Sequence, residues 1–77
     1  MEDLIKFLAQ EITGVEDVTI AATEQDGITI YTVTLPKENI GQFIGKSGRI
    51  ISAIRTVTGI RAAKENIRFN IEVAEKA

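Results

Sequence analysis

Leu4, Ile5, Phe7, Leu8 and Ile12 recur at helical spacing behind Asp3, a candidate cap, and Gly14 follows the last of them. The opening segment therefore reads as an amphipathic, core-facing helix that stops at the glycine. Val18 to Thr23 and Ile28 to Leu35 are rich in β-branched residues, and Asp26-Gly27 lies between them where positive φ is easily adopted, which predicts a hairpin. Pro36 closes the second strand, since it has no N–H to give a ladder, and it suits the first position of a helix.

A short helix then carries Ile40, Phe43 and Ile44 on one side before Gly45, with Gly41 suited to a close helix contact. A second helix opens at Gly48 or Arg49; Ile50, Ile51, Ile54 and Val57 share one arc, and Arg49, Ser52, Arg55 and Thr56 fall outside it. Past Gly59 the phase slips, with Ile60 on the polar side and Arg61 on the apolar side, so this helix either ends near Thr58 or runs on through Ala62 and Ala63. Ile67 to Val73 alternates without a fault and reads as a strand with one buried and one wet face. The order αββααβ predicts an α+β two-layer domain, three helices packed on one face of a three-stranded sheet, as a single domain over residues 1–77.

Length and composition remove whole classes of chemistry. A chain of 77 residues holds one modest core. With neither cysteine nor histidine it offers no disulfide, no thiol nucleophile and none of the commonest zinc ligands, so no metal and no cofactor is expected. No apolar run approaches the ~20 residues that span a bilayer, and Met1-Glu2-Asp3 lacks the basic start of a secretory signal, so no membrane association and a cytoplasmic location are expected.

The net charge of −2 conceals a division. Residues 1–40 carry eight acids against Lys6 and Lys37, while residues 41–77 carry seven bases against Glu65, Glu72 and Glu75. Between Gly41 and Lys64 stand five bases and no acid, and screening over ~8 Å makes a ligand at that surface respond to its local charge. A merely solvated face is the competing explanation for a run of this length.

Gly45-Lys46-Ser47-Gly48 joins the two helices at the head of that basic stretch. Its glycines let the chain turn tightly and let a sugar-phosphate strand approach without a Cβ in the way. Exposed N–H groups at the start of the following helix add partial positive charge, and Lys46 and Arg49 add full charges. Ile40-Gly41-Gln42-Phe43-Ile44-Gly45-Lys46-Ser47-Gly48-Arg49-Ile50-Ile51 resembles the I-G-x-x-G-x-x-I signature of KH domains. The element order resembles the type II arrangement, and the length together with Gly45 to Val57 is similar to the small stand-alone KH proteins of the KhpA family, over essentially the whole chain.

That resemblance implies a non-catalytic module that clamps about four nucleotides of single-stranded RNA, with an RNA chaperone or post-transcriptional regulator as the implied role. Gly45, Lys46, Ser47 and Gly48 match the backbone-clamping loop, and Arg49 matches a phosphate-contacting position after it. Ile44 and Ser52 are weaker candidates for the groove that receives bases, and Arg55 for a phosphate at its edge; core packing for Ile44 and solvated surface for the other two are the competing roles. Only Phe7, Tyr31, Phe43 and Phe69 are aromatic, so base contacts would be aliphatic and selectivity modest. Two features depart from the family: Lys64 to Arg68, the variable loop bordering the groove, is less basic and less glycine-rich, and Gly59 interrupts the long helix.

Three other readings compete. Gly41 to Ser47 superficially resembles a phosphate-binding P-loop, but only three residues separate Gly41 from Gly45 where that motif has four. Catalysis would need paired carboxylates or an activated Lys or Ser, and Ser47 has no evident base, so neither an enzyme nor a small-molecule substrate is expected. The serious rival keeps the fold but uses it for protein interaction. A single unit grips few nucleotides, which favours a homodimer or a second KH-containing RNA-binding protein as partner, and Ile60 is either part of an exposed apolar patch or part of the core.

Overall fold

The computed structural model describes residues 1–76. Helix α1 (Glu2–Thr13) precedes a hairpin of β1 (Thr19–Gln25) and β2 (Ile28–Leu35); α2 (Lys37–Ile44), a single 3₁₀ turn (Lys46–Gly48) and α3 (Arg49–Glu65) lead to β3 (Phe69–Glu75). The sheet order is β1-β2-β3, with β1 antiparallel and β3 parallel to the central strand. The α2–α3 pair is the crossover that a parallel pair requires.

Each element follows from local chemistry. Gly14 takes φ 72° and its N–H donates to the Gln10 carbonyl, ending α1. Asp3 does not cap this helix; the helix begins one residue before it, at Glu2, and both acids lie in the first turn, where the helix dipole favours them. Asp26 and Gly27 both have positive φ, as a two-residue hairpin turn matched to strand twist demands. The first strand runs two residues further than the β-branched run suggested, to Gln25, because β2 pairs with it as far as Ile28. Pro36 sits immediately before α2, one position earlier than expected, and its carbonyl accepts from Asn39 N–H.

Tyr31, Val33 and Leu35 alternate into the core from β2, Ile71 joins them from β3, and Ile5, Ala9, Phe43, Ile51 and Ile54 cover them from the three helices. Burial, then Glu2 and Glu65, raise the Tyr31 phenol above its ordinary pKa, so it stays neutral at physiological pH.

Helix α3 departs most from the sequence pattern. It runs unbroken through Gly59 to Glu65, and its buried stripe is Ile51, Ile54, Thr58 and Ala62. Val57 leaves the expected core arc and is 46% exposed; Ile60 is 61% exposed. Thr58 takes the inward position because its hydroxyl donates back to the Ile54 carbonyl at 2.8 Å, so a polar residue is buried without an orphaned group. Asn66 in the left-handed region ends the helix, with Asn66 N–H on the Ala63 carbonyl and Ile67 N–H on the Ala62 carbonyl. Ile67 is thereby drawn into the cap, and β3 starts two residues later than the alternation alone indicates. Gly41 makes no close helix contact: a Cβ there would meet open space.

These positions predict opposite mutational costs from two neighbouring apolar residues. Ile54→Ala should lower unfolding free energy by about 2–4 kcal/mol, and Val57→Ser should change it by less than about 0.5 kcal/mol, read from urea denaturation. A cost for Val57→Ser equal to that of Ile54→Ala would place Val57 in the core.

Candidate nucleic-acid interface

The loop between α2 and α3 is built by a side chain pressed onto bare backbone. Gly45 has φ 78° and ψ 171°, a conformation essentially reserved for glycine, and its N–H donates to the Gly41 carbonyl at 2.8 Å. A Cβ added there would lie 2.6 Å from Ile50 Cγ1, so Ile50 occupies the space that any other residue would fill. Ser47 follows with φ 57° and Gly48 with φ 73°, and the turn closes through Gly48 N–H on the Gly45 carbonyl at 3.1 Å and Arg49 N–H on the Lys46 carbonyl.

Three of the loop amides are therefore spent holding the bend. Those of Lys46 and Ser47 have no partner among the described residues, and both residues are exposed. The row of outward amides expected from the sequence narrows to these two, with the Lys46 ammonium and the exposed Arg49 guanidinium beside them. Two adjacent donors and two cations at the head of a helix are groups of the kind that can hold an anion such as phosphate.

The remaining candidates lie along the helices. At 1.5 Å per residue, Ser52 and Arg55 stand roughly one and two turns beyond Arg49. Both are exposed, and both lie on the flank of α3 that faces β3, where Arg55 Nη2 donates to the Ile71 carbonyl at 3.2 Å. Ile44 is half-buried and packs against the core from the end of α2. On the opposite flank of α3, Arg49, Ile50, Ala53, Ile54 and Val57 form with Leu8 and Ile12 of α1 an almost wholly apolar groove of about 350 Å³. The cations are unevenly committed: Arg61 pairs with Glu65 at 3.5 Å and Lys76 with Asp17, while Lys46, Arg49, Lys64 and Arg68 have no acidic partner among the described residues.

Sequence reasoning missed one participant at this surface. Asn70 Oδ1 accepts from the Ile71 N–H at 2.9 Å, beside the carbonyl that Arg55 holds. The alternating pattern placed Asn70 on the wet face of its strand and carried no signal of an edge contact.

A sequence profile for the KhpA/KhpB KH domain matches residues 2–73. The chain belongs to this KH-domain family. Among its relatives are proteins named RNA-binding protein KhpA from Chlamydia caviae, 33% identical over 76 residues and covering 97% of each chain, and from Listeria monocytogenes, 36% identical over 76 residues and covering 97% of this chain and all of the relative. The same-named protein of Borreliella burgdorferi is 35% identical over 74 residues, 95% of this chain and 90% of its own. The αββααβ order, with three helices on one face of a three-stranded sheet, is that of the type II KH-like fold.

The two loop glycines should not be equivalent. Gly48→Ala meets nothing nearer than Ile51 Cγ2 at 3.9 Å, so it should cost about 1–2 kcal/mol for its left-handed φ. Gly45→Ala adds the collision with Ile50 to a less accessible backbone conformation and should cost at least about 3 kcal/mol by urea denaturation. Equal costs would mean that Ile50 does not seat on Gly45 in solution.

Proposed function

We propose that this chain is a non-catalytic RNA-binding protein, one KH domain over its whole length, that clamps a single strand of RNA at Gly45, Lys46, Ser47, Gly48 and Arg49. The observation that carries this reading is the pair of unpartnered Lys46 and Ser47 amides, exposed on a bend that the Gly45–Ile50 contact holds in shape. Preorganised donors lose little entropy on binding, and charge-assisted bonds to phosphate are the strong kind. The printed names of the relatives, RNA-binding protein KhpA, supply the ligand class. From the loop the strand would run along the flank of α3 bearing Ser52 and Arg55, with Ile44 supporting from the core side. The role proposed is that of an RNA chaperone or post-transcriptional regulator acting in the cytoplasm; no helix among the described residues is long and apolar enough to cross a membrane.

A second use of the same fold is favoured by the apolar groove between α1 and α3 and by the exposure of Val57 and Ile60. We propose that a second copy of the chain docks there, on the flank of α3 opposite to Ser52 and Arg55, so that pairing takes in the groove that Arg49 also lines, leaves Gly45 to Gly48 and the Ser52–Arg55 flank open, and joins two short RNA footprints into one ligand. Such linkage raises affinity without any new RNA contact.

The two uses separate by mutation. Lys46→Asp with Ser47→Asp should lower affinity for single-stranded RNA at least tenfold with sedimentation and far-ultraviolet circular dichroism unchanged, since Asp tolerates the left-handed φ of residue 47. An affinity within twofold of wild type would remove the loop from the binding surface. Val57→Glu should abolish self-association by analytical ultracentrifugation and leave the loop intact; dimerisation undiminished in this variant would refute docking through the groove. For wild type, log K should fall with log salt at roughly −0.7 per phosphate neutralised, and a flat response would contradict the clamp.

A further inference from the structure

The sheet has two outer edges, and they are finished differently. In β3 the even-numbered residues point their backbone groups toward β2, as Arg68 shows by accepting from Thr29 N–H. Ile71 therefore directs its N–H and C=O outward, although its side chain is 2% exposed in the core. Both outward groups are already engaged: the N–H donates to Asn70 Oδ1 at 2.9 Å, and the C=O accepts from Arg55 Nη2 at 3.2 Å. On the outer edge of β1 no side-chain hydrogen bond of this kind occurs among the described residues. The caps are thus specific to the edge that borders the flank of α3 below the GKSG loop.

Arg55 does more than satisfy a carbonyl. It spans from α3 to a strand sixteen residues along the chain, and its donor meets an acceptor whose position is fixed by a core side chain. An unpaired strand edge invites pairing with a foreign strand, and a capped midpoint withdraws that invitation. A hydrogen bond from a charged donor is stronger than one between neutral groups, and it ties together two elements that otherwise touch little.

We propose that Arg55 and Asn70 latch the outer edge of β3, that Arg55 thereby fixes the width of the cleft between α3 and β3, and that Arg55 serves RNA binding as a positioning residue rather than as a phosphate ligand. This rests on the RNA-binding reading above for its consequence, but the latch itself is measurable in the free protein.

Two experiments test it. In the free protein, Asn70→Ala should accelerate exchange of the Ile71 amide at least tenfold by NMR, with Tyr31 and Val33 unchanged; unaltered Ile71 exchange would overturn the latch whatever the RNA data say. For RNA, Arg55→Met removes both donor and charge, while a synthetic chain with citrulline in place of Arg55 loses the charge and exchanges one NH2 for a carbonyl oxygen but keeps a terminal NH2 that can donate to the Ile71 carbonyl. A positioning role predicts affinity within threefold of wild type for the citrulline chain, a further loss of at least threefold for Arg55→Met, and the wild-type salt slope in both. A phosphate ligand would instead weaken both variants alike and reduce the slope by roughly 0.7, and that result would overturn the assignment. Absence of RNA binding in wild type would refute the clamp and the cleft role together, while the exchange result would stand on its own.

Discussion

Ile50 rests on the backbone of Gly45 in space that every other amino acid would claim for its own Cβ. That contact turns the chain from α2 into α3 within one 3₁₀ turn and holds Lys46 and Ser47 outside the protein's own hydrogen bonding. It also fixes where α3 starts, and hence which of its flanks faces β3 and which faces α1. The geometry of the bend follows from a packing contact made at the edge of the core. A small domain with no disulfide has few other means of holding a short loop still, so the rigidity of the loop and the integrity of the core are coupled here.

Electrostatics then complements the geometry. The acidic half of the chain forms α1 and the hairpin, and the basic half forms the loop, α3 and the approach to β3, so a net negative protein presents a locally positive helix. Arg61 pairs with Glu65 and Lys76 with Asp17, whereas Lys46 and Arg49 form no ion pair among the described residues.

Much of this was legible in the sequence because the strong signals are local. Ile28 to Leu35, the Asp26-Gly27 turn and the stop at Gly14 each follow from the chemistry of a few consecutive residues, and the structure reproduces them. The tight bend from Gly45 to Gly48 was legible for the same reason, since two glycines around a basic residue between apolar helical flanks leave few other geometries. Helix α3 was not, because apolarity is an imperfect proxy for facing inward: Thr58 satisfies its own hydroxyl and is buried, while Val57 and Ile60 face outward on the far side of the same cylinder. Gly59 costs helix propensity without breaking the helix, since Ile54 and Ala62 anchor the turns on either side. The convergence of Arg55 and Asn70 on the backbone of Ile71 depends on the tertiary approach of α3 to β3, which no local pattern records.

The central claim is that two backbone amides, those of Lys46 and Ser47, are the first protein groups a nucleic acid meets. Titration of an isotopically labelled chain with a short single-stranded RNA, followed by amide chemical shifts, addresses it residue by residue. The account predicts that the largest displacements fall on Lys46 and Ser47 and that Gly45 and Gly48, held within the chain, move less. Displacements concentrated at Leu8, Ile12 and Val57, with the loop amides unmoved, would contradict it.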